Sequence, residues 1–243
     1  QSRDSQSFGE AALGGDAVVQ SAVTRPGGQT KAIEISYTQD ESQSTLVIYG
    51  TTADPVGPMP ATATLFVRSY EMVDAGWAGH WPQGLKTLRV YAGDQGTGCQ
   101  DAPNDIPYIS EKIIYPGYDT SPDPRLEDYV TSGSWAYCNA PAEIEANYTA
   151  GMLFDGSQPY LRTGVWYKWE RWYQMNSGND VADGVMQIWI NDILVLNRTD
   201  VVYRSVSRGT GGAGGTTWER MWFGGNYSNT GTVTPTPPIR RYI

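Results

Sequence analysis

The stretch that decides the fold is Trp166–Arg204, WYKWERWYQMNSGNDVADGVMQIWINDILVLNRTDVVYR. It contains three runs rich in aromatic and β-branched residues, at Trp166–Met175, Val185–Ile190 and Ile193–Leu196. Asp183-Gly184 and Asn191-Asp192 separate these runs, and both dipeptides are typical of tight hairpin turns. The stretch therefore predicts three antiparallel strands joined by short turns.

Strand patterns recur through the rest of the chain. In Thr62–Val73, Phe66, Arg68 and Tyr70 alternate with Val67, Ser69 and Glu71. Further strands are predicted at Lys31–Thr38, Thr45–Tyr49, Leu85–Tyr91, Ile109–Tyr115, Glu143–Thr149, Val201–Ser205 and Trp218–Phe223. No segment has a capped helical period, so helix content should be low. These strands predict an all-β fold of two packed antiparallel sheets, a β-sandwich or jelly roll. Residues 1–30, rich in Gly, Ser and Gln, should form a loose N-terminal segment before a single domain over 31–243.

Composition excludes several classes of protein. Only 18% of the 243 residues are charged, 12% are aromatic, and the net charge is −9. Coiled coils, helical bundles and disordered chains are richer in charge and poorer in aromatic residues. The acidic balance argues against a nucleic-acid partner. The chain also lacks an apolar run long enough for a membrane-spanning helix.

The N-terminus and the cysteines suggest a secreted protein. The chain begins at Gln1 rather than Met, as expected of a mature product after removal of a secretion signal, or of a trimmed chain. Cys99 and Cys138 do not have the spacing of a metal site. A disulfide between them would stabilise the fold by about 4 kcal/mol. The alternative is two free buried thiols. We expect an extracellular monomer.

Two parts of the chain carry motifs of a known family. One is Leu65–Tyr91, LFVRSYEMVDAGWAGHWPQGLKTLRVY, and the other is Trp166–Arg204, completed by WERMWFGGNY at Trp218–Tyr227. They contain a VR-x-Y strand, a Trp-containing loop, a G-K strand, a double hairpin with DG and W, and an FGG strand. In these features the chain resembles the concanavalin-A-like jelly-roll domains of secreted polysaccharide lyases and related glycan-active proteins. Three features depart from that pattern. Asn191-Asp192 replaces the commoner Asp-Gly, the R-x-E and Q-I-H blocks of alginate lyases are absent, and the sequence stops at Tyr242-Ile243, where relatives usually continue with two acidic residues and a last strand.

The resemblance implies a polysaccharide partner, and such domains often hold one structural calcium ion. Asp94, Asp101 and Asp105 have the oxygen ligands that calcium prefers. A lyase acting by β-elimination requires no cofactor. It needs a group that neutralises the uronate carboxylate, a base that takes the neighbouring proton, and an acid that protonates the leaving oxygen.

Arginine and tyrosine side chains can fill these three roles. Arg68 and Tyr70 share one face of a predicted strand, and Arg89 and Tyr91 share one face of another. If both faces line a concave sheet, the site holds two cations and two phenols. The alternative is that the two arginines are solvated or ion-paired strand residues.

A histidine and a lysine are further candidates for proton transfer. His80 is the only histidine, and it lies between Trp77 and Trp81. Its ordinary pKa suits proton transfer near neutral pH. Lys86 corresponds to the lysine of the family's G-K strand. Both residues could instead be solvated surface positions.

The aromatic content suggests sugar binding. Nine Trp and sixteen Tyr exceed what a core of this size needs. Gln187 shares a strand face with Trp189, and Arg220 shares one with Trp222. Exposed rings stack on the apolar faces of sugars while neighbouring polar groups bind hydroxyls. The alternative is that most of the rings fill the core.

Our first hypothesis is a secreted lyase that cleaves a uronate-containing polysaccharide by β-elimination. A non-catalytic carbohydrate-binding module or lectin is the second. The third is a glucanase-like hydrolase that uses Glu143 and Glu145, which share a strand face and could approach the 5–5.5 Å separation of retaining enzymes. Its third acid is missing unless Glu170 supplies it. A structural filament or coat protein is also compatible with the Gly- and Pro-rich loops.

Overall fold

Strands make up all the regular structure that the computed structural model describes. It describes residues 13–14, 17–20, 32–37, 43–49, 60–73, 85–92, 108–114, 129–137, 145–147, 161–162, 164–204, 217–226 and 239–243. The strands are β1 (Leu13–Gly14), β2 (Ala17–Gln20), β3 (Ala32–Tyr37), β4 (Gln43–Tyr49), β5 (Thr64–Val73), β6 (Leu85–Ala92), β7 (Tyr108–Ile114), β8 (Tyr129–Tyr137), β9 (Glu145–Asn147), β10 (Leu161–Arg162), β11 (Tyr167–Gln174), β12 (Gly184–Ile190), β13 (Ile193–Val201), β14 (Trp218–Asn226) and β15 (Ile239–Tyr242). Within these residues there is no helix, and hence none able to cross a bilayer.

The strands form two antiparallel sheets. The eight-stranded sheet has the order β1-β4-β14-β6-β7-β8-β10, with β9 paired to β8. The seven-stranded sheet has the order β13-β12-β11-β5-β15-β3-β2. The chain changes sheet between β3 and β4, again between β4 and β5, and again between β5 and β6. The all-β class and the two antiparallel sheets are confirmed, and the arrangement is consistent with a β-sandwich.

Side-chain alternation gives each sheet a buried face. Along β12 every second residue is buried, ending with Met186, Ile188 and Ile190 at 0% exposure. Leu88 and Val90 are equally buried on β6 in the other sheet. Period-2 alternation places one face of each strand against the core, and burying these apolar side chains stabilises the fold by roughly 1.5–3 kcal/mol each.

Aromatic residues join the two sheets. Trp218 of the eight-stranded sheet is fully buried, and its ring lies 5.1 Å from that of Tyr203 and 6.4 Å from that of Tyr173 on β11. Both pairs have the edge-to-face geometry that aromatic quadrupoles favour. Thr62, just before β5, also exchanges two backbone hydrogen bonds with Trp218. These contacts link β14 of the eight-stranded sheet to the seven-stranded sheet.

One of the two predicted turns is confirmed. Asn191 and Asp192 alone connect β12 to β13, and their φ angles are 49° and 68°. Positive φ at both central positions is the requirement of a type I′ hairpin turn, which suits the twist of the flanking strands. The Asn191 side chain also accepts a hydrogen bond from the backbone N–H of Lys168 at 2.9 Å.

The prediction of a tight turn at Asp183-Gly184 is wrong. Residues 175–183 connect β11 to β12, and Gly184 is the first residue of β12. A Cβ atom at Gly184 would lie 2.5 Å from the carbonyl oxygen of Val201. The glycine therefore allows β12 to approach β13 closely, and it does not form a turn. Asp183 caps the connection, because its carboxylate accepts a hydrogen bond from the Ser177 N–H at 2.8 Å.

Other strand boundaries also differ from the predictions. Val201 belongs to the long strand β13 rather than to a separate short one, because the polar residues before it continue the pairing with β12. Strand β8 was not predicted, since its sequence, YVTSGSWAY, is rich in small polar residues; it is held by pairing with β7 and β9. Strands β1 and β2 lie inside the N-terminal segment that was expected to be loose.

Candidate functional site

The site is built on two neighbouring strands of the eight-stranded sheet, β6 and β14. Arg89 lies opposite Trp222, and Tyr91 lies opposite Arg220. The register shifts between Trp218 and Arg220, as in a β-bulge. Such a shift changes which face the following residues occupy. Trp218 therefore points into the core, whereas Arg220 joins Arg89, Tyr91 and Trp222 on the opposite face.

These four side chains contact one another, and we call them the arginine–aromatic cluster. The guanidinium carbon of Arg220 lies 4.6 Å from the centre of the Tyr91 ring. That of Arg89 lies 5.8 Å from the centre of the Trp222 ring. The two rings meet edge to face at 5.1 Å. Both cation–ring distances are within the range at which a guanidinium is attracted to an aromatic face.

The cluster reaches the surface through two of its members. Tyr91 and Arg220 are each 6% exposed, whereas Arg89 and Trp222 are half-buried. The indole nitrogen of Trp222 is buried and makes no hydrogen bond within the described structure. A buried donor without a partner costs free energy that a bound acceptor would recover. The cluster thus offers positive charge, a phenol and an unused donor in one place.

Two lysine positions pair in the register of β6 and β7. Lys86 is the partner of Lys112, and Arg89 is the partner of Ser110, two residues earlier on β7. The register shifts between Lys86 and Leu88. The candidate Lys86 therefore lies on the same strand as Arg89 and Tyr91. Lys112, which the sequence pattern did not single out, lies on the neighbouring strand.

The structure does not bring Arg68 and Tyr70 to this site. They lie on β5 of the seven-stranded sheet, on its outer face, together with Gln187 and Trp189 of β12. Arg68 donates through Nε to a carboxylate oxygen of Glu170 at 2.8 Å. The five catalytic candidates on described strands therefore divide between two sheets, with two on β5 and three, including Lys86, on β6.

The carboxylates of the hydrolase hypothesis are also divided. Glu170 lies on β11 of the seven-stranded sheet and accepts from Arg68 and Lys168. Glu145 lies on β9, opposite Trp135 of the eight-stranded sheet. Glu143 is outside the described residues. Glu170 is therefore committed to two cations in a different sheet from Glu145.

Several candidates fall outside the described residues and stay predictions. They are Trp77, His80, Trp81, Asp94, Cys99, Asp101, Asp105 and Cys138. No disulfide and no group of three metal-ligating side chains occurs in the described part of the chain. The disulfide and the calcium ion therefore remain expectations from sequence.

Structural comparison reveals a likeness to a polysaccharide lyase. Alginate lyase Aly36B superposes with a TM-score of 0.58 at 14% identity, covering 87% of this chain and 77% of that one. A mutant of Aly36B in complex with alginate trisaccharide gives 0.56 at 10% identity, with 87% and 78% covered. An endo-beta-1,4-glucuronan lyase from the fungus Trichoderma reesei is less similar, with a TM-score of 0.49 at 12% identity over 93% and 83%.

No protein-family model matches the chain, and no curated protein matches it in sequence. At these identities the likeness concerns the fold. The chain shares the two-sheet fold of a glycan-active protein, so the resemblance inferred from the sequence motifs is confirmed at that level.

Proposed function

We propose that the protein is a secreted polysaccharide lyase that cleaves a uronate-containing polymer by β-elimination at the arginine–aromatic cluster. The observation that carries the proposal is the contact of Arg89 and Arg220 with Tyr91 and Trp222 on one sheet face. The likeness to alginate lyase Aly36B supports a jelly-roll order of the strands and a polysaccharide partner for this chain.

The cluster can meet the chemical needs of the reaction. Arg89 and Arg220 would neutralise the uronate carboxylate, which makes the proton on the neighbouring carbon more acidic. Tyr91, Lys86 or His80 would take that proton. The electron pair then forms a carbon–carbon double bond while the bond to the glycosidic oxygen breaks. A second proton carrier from the same set would protonate the leaving oxygen. Trp222 would stack on a sugar ring.

The surroundings of the cations differ between this face and the outer face of the seven-stranded sheet. On that outer face, Arg68 and Lys168 pair with Glu170 and Asp192. In the arginine–aromatic cluster, both guanidinium groups lie over aromatic rings. A uronate needs a cation for its carboxylate and a ring for its sugar face, and the cluster supplies both kinds of group side by side.

The test follows ultraviolet absorbance during incubation with a panel of polyuronates, with reducing-sugar release from neutral glucans in parallel. We expect absorbance from the unsaturated uronate that only a lyase makes. Arg220→Ala should reduce kcat/KM by about 10²–10³, the usual cost of removing one charge-stabilising donor. Arg220→Lys should recover part of that loss because it retains the charge.

Arg68→Ala is the matched control, since it removes an arginine from the other sheet. It should keep full activity. Circular dichroism and thermal unfolding of each variant separate lost chemistry from lost folding. New reducing ends without ultraviolet absorbance, or an Arg68→Ala loss as large as that of Arg220→Ala, would refute the proposal.

A further inference from the structure

Three aromatic rings form a strip across the outer face of the seven-stranded sheet, which the proposed lyase site does not use. Trp172 on β11 lies directly opposite Phe66 on β5 and Gln187 on β12. Trp189 is two residues beyond Gln187 on the same face, so it is the diagonal neighbour of Trp172. Direct and diagonal neighbours in a sheet are about 5 and 7–8 Å apart, so the ring strip of Phe66, Trp172 and Trp189 extends over roughly 12 Å.

The ring strip is accessible from solvent. Phe66 is 55% exposed, and Trp172 and Trp189 are half-buried. Leu194, opposite Trp189, is 44% exposed and extends the apolar surface by one strand. Rings held in place by a sheet lose little entropy when they bind, and neighbouring exposed apolar side chains offer a surface on which a ligand can pack.

Amide groups at one end of the strip remain available for hydrogen bonds. The Gln187 amide nitrogen donates to the Asn197 side-chain oxygen at 2.7 Å. Among the described residues, the Gln187 carbonyl oxygen and the Asn197 amide nitrogen make no other hydrogen bond. Gln187 lies opposite Trp172, and Asn197 lies opposite Gln187, so an acceptor lies next to this ring and a donor lies one strand further. Rings flanked by an amide donor and acceptor match the apolar faces and hydroxyls of a sugar chain.

The charges on this face cancel. Arg68 pairs with Glu170, and Lys168 pairs with Glu170 and Asp192, which gives two cations and two carboxylates. A surface whose charged side chains pair with one another attracts neither a polyanion nor a basic partner. Its complement is an uncharged ligand with apolar faces and hydroxyls.

We infer that the ring strip is a second carbohydrate-binding surface, for an uncharged glycan chain, on the opposite side of the molecule's sheets from the lyase cluster. Two to three sugar rings would stack on Phe66, Trp172 and Trp189, and Gln187 with Asn197 would bind their hydroxyls. The inference does not depend on the proposed lyase activity, because its residues and its ligand are different.

Affinity electrophoresis in gels containing cellulose derivatives, xylan, galactomannan or starch tests this inference. The wild-type protein should be retarded by at least one of these neutral polymers. Phe66→Ala and Trp172→Ala should each weaken binding about tenfold or more, by loss of a stacking ring. Val181→Ala is the matched control, since Val181 is an exposed apolar residue, 42% accessible, outside the strip. It should bind like the wild type.

Three results would overturn the inference. The first is no retardation of the wild type by any neutral polymer. The second is binding that is lost in Arg220→Ala and kept in Trp172→Ala, which would place the glycan in the arginine–aromatic cluster. The third is a change of oligomeric state in Phe66→Ala, measured by sedimentation, which would make the strip an interface between two copies. Polyuronate cleavage by Trp172→Ala should stay unchanged. Loss of neutral-glycan binding and loss of polyuronate cleavage are therefore measured separately, and either proposal can fail without the other.

Discussion

Tyr203 shows how one buried side chain links stability to pH. It is 0% exposed, its hydroxyl donates to the Val185 carbonyl oxygen at 2.9 Å, and its ring packs on Trp218. Burial raises the pKa of its phenol well above the ordinary value, because the charged form would be desolvated. The folded protein therefore keeps this proton at a pH where the unfolded chain has lost it.

The sign of the effect follows from that difference. Above about pH 10 the unfolded chain binds fewer protons than the folded one, so the free energy of unfolding falls as pH rises. Tyr203→Phe should cost about 1 kcal/mol at neutral pH through the lost hydrogen bond. The stability deficit of Tyr203→Phe relative to the wild type should shrink or reverse above about pH 10. Urea unfolding of both proteins, measured from neutral pH to above about pH 10, provides the check. A deficit that stays constant with pH would show that Tyr203 does not titrate on unfolding.

A buried polar group on β5 and β11 was not foreseen from the sequence. Arg171 is 0% exposed and binds Glu71 at 2.9 Å and Ser69 at 2.8 Å, on the core side of the sheet. Strand alternation correctly placed Ser69 and Glu71 on the same face as Val67. Two polar residues on that face, however, suggest a face exposed to solvent, whereas all three residues are buried. Only the pairing of β5 with β11 shows that the two charges neutralise each other inside.

At the scale of the strand, Gly184 limits what β12 can accept. A Cβ atom there would meet the Val201 carbonyl oxygen at 2.5 Å, closer than real contacts allow. Gly184→Ala should lower the free energy of unfolding by about 1–3 kcal/mol, because backbone must shift. Gly178→Ala is the control, since its Cβ would meet only the exposed Val181 side chain at 3.2 Å. It should change stability by no more than about 0.5 kcal/mol in urea titrations. Equal losses in the two variants would contradict this account.

Local chemistry predicted the strands better than it predicted their partners. The turn at Asn191-Asp192 depends only on two adjacent residues that tolerate positive φ, so it can be predicted from the local sequence alone. Asp183-Gly184 has the same local signature, yet a contact with Val201, seventeen positions away in sequence numbering, decides the role of Gly184. The same limit applies to the candidate site. Face-sharing within β5 and within β6 was predicted, but their membership of different sheets depends on pairing between distant segments.

At the scale of the whole molecule, the net charge of −9 opposes the positive charge of the proposed site. The overall charge acts over a distance set by the Debye length, about 30 Å at 0.01 M salt and 10 Å at 0.1 M. In the proposed site, contacts of a uronate with Arg89 and Arg220 would be direct and would be screened only at higher salt. Added salt should therefore first remove repulsion of a polyuronate and later weaken its binding.

The expected result is a maximum in kcat/KM for a polyuronate near 0.1 M salt, with lower values at 0.01 M and at 1 M. Initial rates at subsaturating polymer, measured across that range at constant pH, provide the check. Binding of neutral glycan to the ring strip serves as the control and should change little, because its ligand is uncharged. A steady decline from the lowest salt would contradict this prediction, because attraction to the local positive charge would then outweigh repulsion by the net charge even at long range.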